Sequence, residues 1–260
     1  MVGIGDIVLR EEDSLMPTIV EYPTIVREAV EKFGDLFINE PEKRHFADYL
    51  TGLMIAEKKT ISGISHEFVG GTDQSCLNRW LTDVEWDVHA LNDRRLEILQ
   101  DDEATRYHPK GVIPIDNVLV GHTGKLIQDV GWLWDHAEER YKIAHDYLIS
   151  NYVTPFGAHY PIEWRRFQKK DNHWTKQFKT HTELCIELID DVIQRGIPGD
   201  FTFDCYFSSA EVLNHIHERE RNYVGDIKLN RKVIFERGRE QAERSSQRDP
   251  PTSQEVYQSR

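Results

Sequence analysis

Residues 111–120, GVIPIDNVLV, form a short run with branched apolar side chains at most positions and a single carboxylate in the middle. In an extended chain, Ile113, Ile115 and Leu119 point one way, and Val112, Asp116, Val118 and Val120 the other. A run that is apolar on both alternating faces predicts a central strand covered on both sides, the arrangement of an α/β sheet with helices on its faces. An unpartnered acid there costs several kcal/mol or takes up a proton. Asp116 therefore needs a partner, and two kinds are open. One is an arginine or a turn that the carboxylate caps; the other is a divalent cation at the open end of the sheet.

The surrounding composition narrows the class. The chain has 260 residues, 39% hydrophobic and 30% charged, enough for one large or two small soluble domains with a sizeable core. No stretch approaches the ~18 continuous apolar residues of a membrane span, and the N-terminal MVGIGDIVLREED lacks a basic-then-apolar leader. A cytoplasmic protein without a membrane partner is expected. Cys76, Cys185 and Cys205 are far apart, odd in number and form no C-x-x-C pair, which predicts free thiols in a reducing compartment.

The formal net charge is −13, concentrated in residues 1–105, which hold 22 acids against 10 bases. Such a balance opposes polyanion binding by bulk electrostatics. Adaptation to a high-salt interior would reconcile the two, because salt screens long-range repulsion to within a few ångströms.

Residues 1–38 predict a loose lead-in, broken by Pro17 and Pro23, and then a helix over about 24–37. Phe46, Leu50, Leu53 and Met54 repeat at helical spacing over about 42–58, Thr60 opens a second helix to Phe68, Gly70 and Gly71 turn the chain, and Thr72-Asp73 caps a third helix carrying Leu77 and Trp80. Three short helices with a glycine turn before the last have a helix-turn-helix outline, and equally that of a plain three-helix core. A further helix over 87–105 ends in the acidic run Asp101–Glu103, taken as the boundary of a helical domain 1–105.

From Arg106 the pattern changes. GHTGK, residues 121–125, has two residues between its glycines where a phosphate loop needs four, so it does not cradle a nucleotide. Residues 141–153 and 159–167 predict a hairpin of two strands. Arg165, Arg166, Lys169, Lys170, Lys176 and Lys179, interleaved with Trp164, Phe167, Trp174 and Phe178, form the one locally basic, aromatic-rich patch, suited to phosphates with stacking or to a solvated face over core aromatics. Residues 179–195 are an amphipathic helix stopped by Gly196. In DFTFDCYFSS, residues 200–209, Phe201, Phe203, Cys205 and Phe207 share one face and Asp204 takes the other, with a capping box from Ser208 to Glu211 behind it. Residues 223–235 predict another strand, and 236–260 an irregular, mostly disordered tail. His122, His145 and His181 are scattered, and His215 and His217 face different ways. There is no G-x-S-x-G, H-E-x-x-H or Cys–His zinc spacing, and no Asp-x-Asp pair of a Mg2+ phosphatase.

A strand with Asp116, two more strands, a helix and a strand ending near Asp204 is the element order of a ribonuclease H-like fold, in a mixed α/β domain over 106–235. Within it, GVIPIDNVLVGHTGKLI, VGWLWDHAEERY, HYPIEWRRF, FTFDCYFSSAEVLNHI and YVGDIKLNRKV closely resemble the DDE-superfamily transposases of bacterial and archaeal insertion sequences. The resemblance implies a DNA transposition and recombination enzyme, a DDE endonuclease that cuts and joins transposon ends and target DNA. It implies Asp116 and Asp204 as the first two catalytic acids and as ligands of Mg2+ or Mn2+ in a two-ion site, because hard cations take oxygen ligands and an ion pair clamps the attacking and leaving oxygens. It implies DNA on the patch of Arg165, Arg166, Lys169 and Lys170, and a homo-oligomer or a mixed oligomer with full-length transposase. The family's third acid is a Glu on a helix downstream of the second Asp. Here only Glu240 and Glu243 stand near, neither on an apolar-striped helix, so the expectation is a C-terminally truncated copy. It is either an enzyme of reduced competence or an inactive DNA- or transposase-binding remnant.

Overall fold

The computed structural model describes residues 19–69, 72–124, 127–170, 177–228, 231–235 and 238–241. The lead-in before residue 19, Gly70-Gly71, Trp174, Lys176 and the tail beyond Gln241, with Glu243, lie outside them. The chain forms two compact units, divided between Glu97 and Ile98.

The first unit is helical: α1 Thr24–Phe33, α2 Glu40–Ile55, α3 Ile61–His66, α4 Gln74–Asp83 and the start of α5 Val88–Asp101. The helix expected over 24–37 closes at Phe33 and tightens into a 3-10 turn, Gly34–Leu36. The starts of α2, α3 and α4 are capped by side chains. Asn39 accepts from the Glu42 amide, Thr60 from Gly63 and Asp73 from Ser75, satisfying N–H groups that a helix start leaves open. Phe37, Ala56, Ile64, Leu77 and Trp80 form the buried cluster, and Trp80 stacks on Trp86 with ring centroids 5.3 Å apart.

The second unit is a mixed sheet with helices, as the order of elements predicted. Its strands are β1 Val112–Gly121, β2 Gly131–Asp135, β3 Arg140–Val153, β4 His159–Phe167, β5 Asp200–Phe203 and β6 Tyr223–Gly225. Strand β3 pairs antiparallel with β1 on one side; Ala144 is matched to both Gly121 and Gly131, so β2 lies on the other side, where β4 takes over from Asp146. Beyond β1, β5 and then β6 are parallel. The run expected as one strand over 223–235 is two, β6 and β7 Lys232–Phe235, and β7 pairs with β8 Gly238–Gln241 in the region expected to be irregular. Strand β2 was not anticipated; its tryptophans and charges obscure the strand pattern.

One face of the sheet is core. Ile113, Ile115, Leu148, Phe201 and Phe203 are buried on it, and α6, His181–Gln194, lies against β3 and β4 with Leu184, Cys185, Leu188, Ile189 and Val192 buried. Helix α6 starts with the reciprocal Thr180–Glu183 capping box. The other face is open, which corrects the expectation of a doubly covered strand: Val112, Asp116, Val118 and Val120 are all exposed. β-Branched residues suit a pleated strand on a wet face too, so their presence on both sides of GVIPIDNVLV does not require two layers. By register this open face also carries Trp132, Trp134, Tyr141, Tyr147 and Trp164. No helix among the described residues is long and apolar enough to cross a membrane.

Candidate active site

The alignment of β1 with β5 builds the site. Val112 faces Asp200, Ile113 faces Phe201 and Pro114 faces Thr202, a constant separation of 88 positions. Asp116 and Asp204 are separated by the same 88. Both acids lie two residues past the last ladder pair, Pro114–Thr202, Asp116 within β1 and Asp204 as the first residue after β5. Adjacent strands lie about 4.8 Å apart.

Two glycines hold this register. The Asp200 amide donates to the Gly111 carbonyl at 3.1 Å, and Gly199, at φ +124°, approaches so closely that a Cβ would lie 2.5 Å from that oxygen. A Cβ on Gly111 would meet the Tyr152 hydroxyl at 2.1 Å. That hydroxyl is fixed between the His108 amide (2.7 Å) and carbonyl (2.9 Å).

Both carboxylates are exposed, and neither is paired with a cation among the described residues. Asp116 Oδ1 accepts from the Asn117 amide at 2.8 Å, and Asp204 Oδ1 from the Tyr206 amide at 2.9 Å, closing a turn. The alternative of an Asp116 neutralised by arginine is thus not realised. Each carboxylate is an exposed hard oxygen donor of the kind that divalent cations take, with other positions left to water or a substrate phosphate. Among the described residues no three His, Cys, Asp or Glu side chains converge. Glu240 lies on strand β8 rather than on a helix.

The basic patch is largely committed elsewhere. Arg165 lies on the covered face, where it pairs with Asp191 and reaches Glu187 at 3.4 Å on α6. Arg166 pairs with Asp129, which is buried at φ +64°. Lys179 pairs with Glu187. Lys169 is half-buried and Lys170 exposed at the end of β4. Arg165 and Arg166, expected as phosphate contacts, are thus each in an ion pair: a run of cations in sequence does not reveal carboxylates folded against it from α6 and from Asp129.

Sequence reasoning also missed how the histidines are used. His122 Nε2 and His145 Nδ1 are 2.8 Å apart, and His145 Nε2 is 2.7 Å from the Gln128 carbonyl. His181 Nε2 is 2.8 Å from Asp146, and His215 Nε2 is 2.9 Å from Asp190. Each pair is separated by 17 to 35 positions, so no local spacing could have shown it. The helix after Asp204, α7 Ala210–His217, is capped by Ser209 rather than Ser208; Ser208 is buried and donates to the Asp204 carbonyl at 3.1 Å.

The chain matches the DDE superfamily endonuclease family over residues 33–259, and it belongs to that family. No curated protein matches it. DNA is the substrate class such endonucleases act on, and divalent metal ions serve their chemistry in general.

Proposed function

We propose that the protein is a DDE-type transposase that cuts and joins insertion-sequence DNA, with Asp116 and Asp204 as its metal-holding catalytic acids. The observation that supports this reading is the shared separation of 88 positions: two exposed acids, unpaired among the described residues, each follow the last β1–β5 ladder pair by two residues in a member of a DDE endonuclease family. When bound, Mg2+ or Mn2+ would polarise a phosphodiester oxygen between these carboxylates. Water or a DNA 3′-hydroxyl attacks phosphorus, the P–O bond on the far side breaks, and the departing oxygen takes up a proton. The described residues suit one shared cation; a second would need a further ligand from the substrate or from outside them. Asp116 and Asp204 would hold the shared cation, and through it the anionic scissile phosphate, on the open face.

Trp164 supports the DNA reading, since it faces Ile149, which faces Asp116, in one row across three strands, with its ring exposed and edge-on to Tyr147 at 5.3 Å. Exposed rings beside a cleavage site suit base stacking, worth roughly 1–3 kcal/mol per base. In the helical unit, α4 is the helix that would enter a major groove.

A second reading, a catalytically inactive remnant that still binds DNA or a full-length transposase, draws on the lack of a third converging acid among the described residues. A nicking assay on transposon-end DNA with Mg2+ or Mn2+ separates the two. Cleavage lost in Asp116→Asn and Asp204→Asn supports the enzyme; DNA retention without cleavage supports the remnant.

A further inference from the structure

Four side chains from separate segments form one hydrogen-bonded chain at the acid-bearing end of the sheet. Asn117, next to Asp116 on β1, donates through Nδ2 to Asp146 Oδ1 on β3 at 3.1 Å. Asp146 Oδ2 lies 2.8 Å from Nε2 of His181, the first residue of α6. His181 Nδ1 lies 3.2 Å from the hydroxyl of Tyr206, and the Tyr206 amide donates to Asp204 at 2.9 Å. Asp146 is buried, and the His181 ring is stacked on Phe167 at 3.8 Å.

A carboxylate accepts, so the His181–Asp146 contact runs from Nε2–H to Asp146 Oδ2. The Tyr206 hydroxyl lies at hydrogen-bond distance from the ring's other nitrogen, Nδ1. A tyrosine half exposed in a turn would otherwise sample several rotamers. Here its hydroxyl end is tied to the sheet and its amide to Asp204, while Ser208 Oγ closes the turn on the Asp204 carbonyl. The 204–208 turn is thus anchored by groups that do not reach the open face.

We infer that Tyr206, through His181 and Asp146, is a positioning residue that aims the Asp204 carboxylate at Asp116. The inference rests on the reading of Asp116 and Asp204 as the cation-holding pair. Removing such a support behind a metal ligand lowers metal affinity by about 10–100-fold in comparable sites.

The test is Mn2+ titration of the full chain, following the free-Mn2+ electron paramagnetic resonance signal, with thermal unfolding recorded for each variant. Tyr206→Phe keeps the ring packed against Phe207 and loses only the hydroxyl. It is expected to weaken Mn2+ binding about 10-fold with little change in unfolding temperature. His181→Phe retains the stacking on Phe167 and should give a similar loss. The double variant should lose no more than about threefold beyond either single, because both cut one chain. If Asp204→Asn weakens binding but Tyr206→Phe stays within twofold of the wild type, or if the double loss is the full product of the singles, the positioning role is overturned and the acid pair stands. If Asp204→Asn binds Mn2+ like the wild type, the acid-pair reading fails and the positioning role fails with it.

Discussion

Gly199→Ala tests how the acid pair is aligned. Gly199 sits at φ +124°, a conformation that side-chain-bearing residues rarely adopt, and an alanine there stores roughly 1–3 kcal/mol of backbone strain. Its methyl would also stand 2.5 Å from the Gly111 oxygen and 2.8 Å from the Gly111 carbon. Gly111 has no room to retreat, since Tyr152 is fully buried behind it and held at both ends of the His108 peptide unit. Relief must come from β5 moving away, at the expense of the Asp200–Gly111 hydrogen bond, worth about 1 kcal/mol and more if its groups stay buried. The sum is about 2–4 kcal/mol. Gly196 is the control. It lies on the same connection at φ +66° with nothing within 4 Å of an added Cβ, so Gly196→Ala should cost only about 1–2 kcal/mol. Urea unfolding followed by circular dichroism measures both, and Mn2+ affinity of the folded Gly199→Ala protein should fall as Asp204 shifts. Equal costs for the two substitutions, with unchanged Mn2+ affinity, would refute the idea that this glycine contact sets the β1–β5 register.

Three further outcomes follow from the geometry. Without divalent ions, two carboxylates on adjacent strands repel by up to about 1 kcal/mol at water-like screening; Asp116→Asn should therefore raise stability slightly in EDTA and abolish the stabilisation by Mn2+, both read by thermal unfolding. Arg165→Ala removes the partner of Asp191 and one of the two cations of Glu187, which keeps Lys179; unfolding titration should show a loss of about 1–3 kcal/mol, while DNA retention per folded molecule stays within twofold. Stability should decline at both pH extremes. Burial pushes the Cys185 thiol from 9.0 up to about 12, and burial with the Asp48 hydrogen bond pushes Tyr22 from 10.0 to about 12. The unfolded chain therefore ionises first, and stability is lost as pH rises from about 9 toward 12. Hydrogen bonds from Lys142 to Asp135 and from Arg140 to Glu138 lower those carboxyl pKa values, so their contribution is present above the ordinary carboxylate range and is lost as pH falls through it. A flat urea midpoint across pH 8–12 would contradict the assignment.

Local chemistry was legible in the sequence; pairing was not. Thr60 and Asp73 were readable as helix starts because a cap acts within three residues. The alternation of Phe201 and Phe203 against Asp204, and the apolar stripe of α6, were readable because burial imposes a period. The bare face of β1 was not, since valines serve equally on a wet or a covered pleat. The commitments of Arg165 and Arg166 were not, because Asp191 and Asp129 lie 26 and 37 positions away. Nor was the Asp146–His181–Tyr206 chain, whose members meet only once β3, α6 and the turn after β5 have docked. The family's motifs supplied Asp116 and Asp204. Their equal offset past the β1–β5 ladder emerges only from strand register.

The most direct measurement is the anomalous scattering of Mn2+ soaked into crystals of the protein. The account predicts a manganese peak on the open face of the sheet, within coordination distance of one oxygen from Asp116 and one from Asp204. Manganese bound away from both acids, or carboxylates turned to opposite faces of the sheet, would contradict it.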